Sequence, residues 1–151
     1  MEYRAARELL LDRISSTAVT ERVPLLEADG RVLAEAVYAA ADVPPFDRSP
    51  YDGYAFRAAD TAESAPVTLR ILEEVPAGSM WSQEVTPGTA TKILTGAPIP
   101  PGADAVTKYE DTVYTAETVT ISGQFASGDN VIPQGEDVQK GQLLARAGQV
   151  I

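Results

Sequence analysis

Asp52 stands in the stretch RSPYDGYAF, Arg48 to Phe56, with a glycine after it and tyrosines at positions 51 and 54. The dipeptide supports two readings. Asp-Gly between alternating apolar residues is a strong signal for a tight hairpin turn, because both residues tolerate the backbone angles such turns need. Asp29-Gly30 repeats it in a plain setting. The other reading is a carboxylate presented for chemistry. Pro44, Pro45 and Pro50 stiffen the approach, and Ser49, Tyr51 and Tyr54 add hydroxyls within a few residues. Local preferences alone favour the turn.

A second stretch, ILTGAPIPPGADAV from Ile93 to Val106, reads as a strand end followed by a proline-stiffened loop. Gly96 lets backbone approach a ligand closely, and Thr95 can donate or accept a hydrogen bond. The stretch lacks the Gly-Lys-Ser/Thr ending of a phosphate-binding loop, and a plain rigid connection explains it equally well. Glu110-Asp111 and Glu136-Asp137 are acid pairs at strand ends. Paired carboxylates can hold magnesium or act as acid and base. In so acidic a chain, solvated surface charge is the commoner explanation. Arg57, Arg70, Lys92 and Lys108 are scattered and form no arginine cluster for an anion.

Several chemistries are excluded outright. The chain contains no histidine and no cysteine, so it holds neither Ser-His-Asp nor Cys-His catalysis and no His- or Cys-based zinc site. A bound metal would be a hard, oxygen-preferring ion. The net charge of -10 opposes nucleic acid and anionic membrane surfaces. No apolar run approaches the roughly 20 residues that span a bilayer. The N-terminus, MEYRAARELLLDR, is charged through its apolar part, unlike a secretory signal. These features fit a cytoplasmic protein.

The elements that must position these residues are mostly strands. Good helix formers predict a helix over Glu2 to Ile14, stopped by Ser15, Ser16 and Thr17. Residues 22–28, RVPLLEA, predict a short strand, and Asp29-Gly30 a turn. Val32, Ala34, Ala36 and Tyr38 alternate, as a strand would, although a helix fits the first half. Pro44-Pro45 marks a boundary. Beyond Tyr54 come β-rich runs: VTLRILEEV, TATKIL, DAVTKYED and ETVTIS, separated by Gly/Pro turns. Their spacing predicts a barrel- or sandwich-like subdomain over about residues 50–124. Gly128, Gly135, Gly141 and Gly148 punctuate short β segments in the tail. The final GQVI falls within a turn-then-strand pattern, which predicts a truncated chain, although domains can end on a strand.

Three stretches together carry a family resemblance: DVPPFDRSPYDGYAFRAADT, ILTGAPIPPGADAVTKYED and GDNVIPQGEDVQKGQLLARAG, with EADGRVLAEAVYA before them. In this order they resemble the N-terminal region of the molybdopterin molybdenumtransferases, the MoeA and gephyrin E-domain family. The resemblance covers nearly the whole chain. It implies a mostly β fold with an N-terminal helix (α+β), built of bifurcated, coiled β-sheets. Residues 48–131 would be an inserted, β-barrel-like subdomain, and residues 1–47 and 132–151 a helix and β-hairpin domain in two segments.

It also implies an enzyme that inserts molybdate into adenylylated molybdopterin and releases AMP. Magnesium and molybdate would be bound mainly by a following α/β domain, in an elongated homodimer. The catalytic positions implied are Asp52, Thr95, Glu110 and Asp137. The substrate-binding positions implied are Ser49, Gly53, Gly96 and Ala97, and no residue is implied as a metal ligand. The fragment alone is expected to be inactive. The alternative is a non-catalytic partner-binding β scaffold. One departure stands out: Ile132, Pro133 and Gln134 occupy positions before Gly-Glu-Asp where many members carry arginines.

Overall fold

The computed structural model describes residues 2–13, 19–63 and 66–151. The expected N-terminal helix is present as α1, Tyr3–Arg13. Ile14 and the stop at Ser15–Thr17 lie outside the described residues. No residue of α1 is buried.

Eight strands follow: β1 Val37–Tyr38, β2 Gly53–Phe56, β3 Val67–Val75, β4 Thr89–Ile93, β5 Ala105–Lys108, β6 Thr112–Tyr114, β7 Thr118–Ile121 and β8 Leu143–Ala145. β1 and β8 form a two-stranded sheet, and the others build one six-stranded sheet in the order β5-β2-β4-β3-β7-β6. All its pairs are antiparallel except β3 with β4. β5 and β6 are the two edges, so the sheet curls into a half-barrel and does not close. The mostly β class with one helix, and the coiled sheet, are as the resemblance implies.

β2 lies inside this sheet, between the edge strand β5 and β4, and is buried on both faces. Tyr54 and Phe56 enter one apolar cluster with Leu69, Ala90, Ala105, Val119 and Ile121. Ala55 enters a second, with Val75, Ile93, Ala97 and Val106. Burying a side chain of the size of Leu69 or Phe56 contributes about 1.5–3 kcal/mol. The residues just before β2, which include Asp52, are therefore anchored by a strand that cannot shift cheaply.

Three expectations need correction. Residues 22–28 are not a strand: Leu25–Glu27 is a single 3-10 turn after Pro24, with Leu25 83% and Leu26 96% exposed. Neither leucine has a neighbouring strand to pack on, so β propensity has nothing to act through. The segment 31–38 is neither helical nor one continuous strand: Val32 makes an isolated bridge to Val150, and only Val37–Tyr38 is a strand. Leu33 exchanges backbone hydrogen bonds with the 148–149 turn, its amide donating to Gln149 O and its carbonyl accepting from Gly148 N. Finally, Asp52-Gly53 is not a hairpin turn. Gly53 opens β2, between Ile93 of β4 and Lys108 of β5. By contrast, Asp29-Gly30 is a turn, with Gly30 at φ 74°. Tyr114 and its neighbours also form a strand, β6, beyond the point where the sequence pattern stops at Asp111.

The chain divides into two compact units, Met1–Val37 with Leu143–Ile151, and Tyr38–Gln142. The first is held by backbone bonds such as Gly30 N to Ile151 O at 2.9 Å and by the Arg31–Glu21 ion pair. The second contains the six-stranded sheet and every residue of the site.

Candidate active site

Gly53 explains how the site begins. A Cβ at this position would run into the carbonyl oxygen of Thr107 on β5. Glycine is required here by close strand approach, not by a turn. With Gly53 locked between β4 and β5, the Tyr109 amide donates to the Asp52 carbonyl at 3.0 Å. The Asp52 side chain then leaves the sheet at its rim.

The second loop arrives at the same place. Ser49 and the Thr95-Gly96-Ala97 turn exchange backbone bonds: Ser49 N donates to Ala97 O at 3.0 Å and Gly96 N to Ser49 O at 2.8 Å. Gly96 has φ 82°, a conformation costly for other residues, so it lets the chain turn back here. The turn aims Thr95 at the aspartate. Thr95 N donates to Asp52 Oδ1 at 2.7 Å and Thr95 Oγ1 donates to the same oxygen at 2.8 Å. The backbone amide first and the hydroxyl second hold the Asp52 carboxyl below the ordinary aspartate range, against a smaller opposing effect of burial. Asp52 is thus an ionised, oriented acceptor on an exposed rim.

Pro50, Tyr51, Asp52, Thr95, Lys108, Glu110 and Asp111 line one cavity of about 530 Å³. Asp52, Thr95 and Glu110, three of the four positions expected to be catalytic, meet there. Glu110 and Asp111 lie on the 3-10 turn Tyr109–Asp111 that follows β5. The fourth position, Asp137, is not in this cavity. It is exposed, and its amide donates to Val43 O at 2.9 Å. Its loop is tied down from elsewhere. Gln134 donates its amide to Asp47 Oδ1 and its side-chain nitrogen to Asp42 Oδ2, both at 2.7 Å. In this chain Gln134 holds the loop.

The expected substrate-binding positions shape the two loops beneath the rim. Ser49 is buried and its hydroxyl donates to Tyr51 O at 2.6 Å. Ala97 is fully buried in the second apolar cluster. Gly53 and Gly96 contribute close approach and backbone direction.

The sequence reading placed Tyr51 near Asp52 as a hydroxyl and Lys108 among scattered cations, and did not bring the two together. Lys108 and Tyr51 both line the cavity, with Lys108 Nζ 4.4 Å from the centre of the Tyr51 ring. The usable signal was alternation along 108–110. Lys108 and Glu110 line this cavity, whereas Tyr109 lines a second one of about 530 Å³. There Tyr109 meets Tyr54 and Tyr114, with ring centres 5.3 and 4.4 Å away. Lys92 sits 5.2 Å from the Tyr109 ring centre and pairs with Glu74 at 2.8 Å. The facing Tyr54 hydroxyl and the Lys92 ammonium lower the Tyr109 phenol, while burial pushes Tyr54 up.

Among the described residues, no three acidic side chains gather closely enough to hold a metal ion. No helix among them is long and apolar enough to cross a membrane.

Comparison with known proteins adds the family. Residues 1–151 match the family model described as the MoeA N-terminal region (domain I and II). A molybdopterin molybdenumtransferase of Bacillus subtilis is 43% identical over 136 residues, covering 85% of this chain and 32% of the relative. One of Synechococcus elongatus is 38% identical, covering 99% of this chain and 38% of the relative. Among solved structures, a molybdopterin biosynthesis moeA protein from Pyrococcus horikoshii OT3 is 46% identical with a TM-score of 0.89, over 99% of this chain and 40% of that one. The half-barrel and its rim therefore define a β module shared with longer proteins of molybdenum cofactor biosynthesis. This chain belongs to the MoeA N-terminal family. It spans about a third of the length of the curated relatives it matches, 32% and 38% for the two above.

Proposed function

We propose that this chain is the N-terminal portion of a molybdopterin molybdenumtransferase, which inserts molybdate into adenylylated molybdopterin with release of AMP. It supplies one wall of a composite site. The observation that carries this reading is the clasp between Thr95 and Asp52, which joins two motifs 43 residues apart at one cavity with Glu110.

In this reading, Asp52 works as an ionised acceptor. Two donors on one oxygen leave the other free to orient a water or a hydroxyl of the substrate. Its lowered pKa makes it a poor proton donor at neutral pH. Glu110, which lines the same cavity, is the candidate for proton exchange with a leaving or entering oxygen. Asp137 belongs to a separate loop and would meet the substrate only from outside this cavity.

The chemistry also calls for what this chain lacks. A pyrophosphate and an oxyanion need several cations or a helix N-terminus aimed at them. Three carboxylates and one lysine do not meet that need. The residues present build no magnesium cage, so no step assigned to this chain runs through that metal. Magnesium and molybdate would sit chiefly on the parts of the full-length relatives that this chain does not cover, in a homodimer. The chain alone is then inactive. The same proposal takes residues 48–131 as a subdomain inserted between 1–47 and 132–151.

Asp52→Asn in the corresponding full-length enzyme tests the reading. The substitution keeps size and hydrogen bonding but removes the charge. Molybdate-dependent cofactor formation should fall at least a hundredfold, within the range for loss of a positioned acid–base group. A wild-type rate would return Asp52 to a structural role.

A further inference from the structure

We propose that Tyr109 is a positioning residue of the site: it fixes Asp52 and Glu110 relative to each other, anchored by tyrosine rings in the second cavity. The proposal rests on the proposed function for its catalytic meaning. Tyr109 touches no substrate in this scheme and acts only through the two acids.

Every part of Tyr109 is engaged. Its amide donates to the Asp52 carbonyl at 3.0 Å, which ties the turn Tyr109–Asp111 to the residue that carries the carboxylate. Its carbonyl accepts from the Thr112 amide, and from the Thr112 hydroxyl at 2.8 Å. Its ring stacks on that of Tyr54, with centres 5.3 Å apart and planes 19° apart, and meets the Tyr114 ring edge-on at 4.4 Å. Tyr54 is buried in β2, so the ring rests on the core of the sheet. The Lys92 ammonium, held by Glu74 at 2.8 Å, lies 5.2 Å from the same ring centre. Aromatic pairs and a cation beside a ring stabilise beyond the area they bury.

Glu110 takes its direction from this anchor. Lys108 and Glu110 line the first cavity, and Tyr109 lines the second. A ring locked on one side of the chain holds its two neighbours to the other. Glu110 and Asp111 are exposed, and no side chain caps the start of their turn. Their carboxylates go where the backbone of the turn points. A slip of one residue would carry Glu110 out of the cavity, as it does for any side chain in an alternating segment. The second cavity serves as this anchor better than as a ligand pocket. Tyr54 and Tyr109 stack on each other and Lys92 pairs with Glu74, so the groups that could grip a ligand already grip one another.

The test measures kcat and KM for molybdate-dependent cofactor formation in the corresponding full-length enzyme. Tyr109→Leu removes the stack and the cation contact but keeps an apolar side chain. Because a displacement of about 1 Å can cost a hundredfold in rate, kcat should fall at least tenfold, with KM changed less than twofold. Tyr109→Phe keeps the ring and should keep most of kcat. Thr112→Val removes one donor to the Tyr109 carbonyl and should lower kcat about threefold, so a poorly folding Tyr109→Leu does not end the test. Val85→Ala removes buried apolar area between β3 and β4 and should leave kcat unchanged. In the chain itself, hydrogen exchange of the amide at position 109 reports its bond to Asp52. Tyr109→Leu should speed that exchange at least tenfold relative to the amides of β4, and Tyr109→Phe should not. Wild-type kcat in Tyr109→Leu and Thr112→Val, an equal loss in Tyr109→Phe or Val85→Ala, or unchanged exchange at position 109 would overturn the proposal. If Asp52→Asn leaves the full-length enzyme active while Tyr109→Leu loosens the amide at 109, the anchor stands and the catalytic reading falls. If Asp52→Asn is inactive while Tyr109→Leu keeps wild-type kcat and exchange, the anchor alone falls.

Discussion

At the scale of single residues, the site depends on one oxygen. Asp52 Oδ1 accepts both Thr95 donors, and they keep the carboxyl ionised. Thr95→Val removes the hydroxyl and keeps the amide, so the Asp52 pKa should rise part of the way back to the ordinary aspartate range. A side-chain NMR titration of the two proteins reads this directly. Glu73 shows the same balance with the opposite order of effects. Burial pushes it up, but the Ser82 hydroxyl and the Ser82 and Gln83 amides together pull it below its ordinary range. A carboxyl depressed in the folded state contributes stability above its unfolded pKa, and that contribution is lost as pH falls through the folded value. Glu73→Gln should therefore flatten the acid limb of a stability–pH curve measured by urea unfolding. At neutral pH it should lower stability as the loop at 82–83 loosens.

At the scale of elements, the rim is only as firm as the strands beneath it. Gly53→Ala would normally gain a few tenths to 1 kcal/mol by restricting the unfolded chain. Here the added Cβ meets the Thr107 carbonyl, and overpacking costs about 1–3 kcal/mol. The second effect is larger, so Gly53→Ala should destabilise, with a lower urea midpoint and an unchanged slope. This glycine also shows where sequence reading stops. Asp-Gly is a turn signal on local grounds, and Asp29-Gly30 obeys it. Gly53 differs because a strand more than 50 residues later in the chain lies against it, a fact that no local pattern contains. The strands β3, β4, β5 and β7 were legible because alternation and flanking turns are local. The 22–28 segment was misread because its leucines have the right propensity and no sheet to join. At the rim, the two loops carrying Asp52 and Thr95 were each visible as motifs, whereas their shared hydrogen bonds were not. Lys108 was hidden by counting cations instead of following which side of the chain each one faces.

At the scale of the whole molecule, the two compact units differ in how much they bury. The sheet unit holds Tyr54, Phe56, Leu69, Ile93 and Ile121 out of solvent. The smaller unit leaves Val19, Leu25, Leu26, Val32, Val150 and Ile151 largely exposed. Few buried apolar contacts mean a low local opening free energy. In hydrogen exchange, the amides of Gly30, Leu33 and Gly148 should exchange at least tenfold faster than those of β2 and β4. Equal protection would show that the smaller unit is stabilised by something other than apolar burial. The strand order has a consequence for how the chain is made. β2 pairs only with β4 and β5, both of which follow it in the chain. During synthesis Tyr54 and Phe56 therefore leave the ribosome long before any strand exists to receive them, and Val32 waits longer still for Val150. A nascent chain of this protein leaves β2 without a partner until β4 has emerged, and the rim that carries Asp52 cannot be completed until β5 follows.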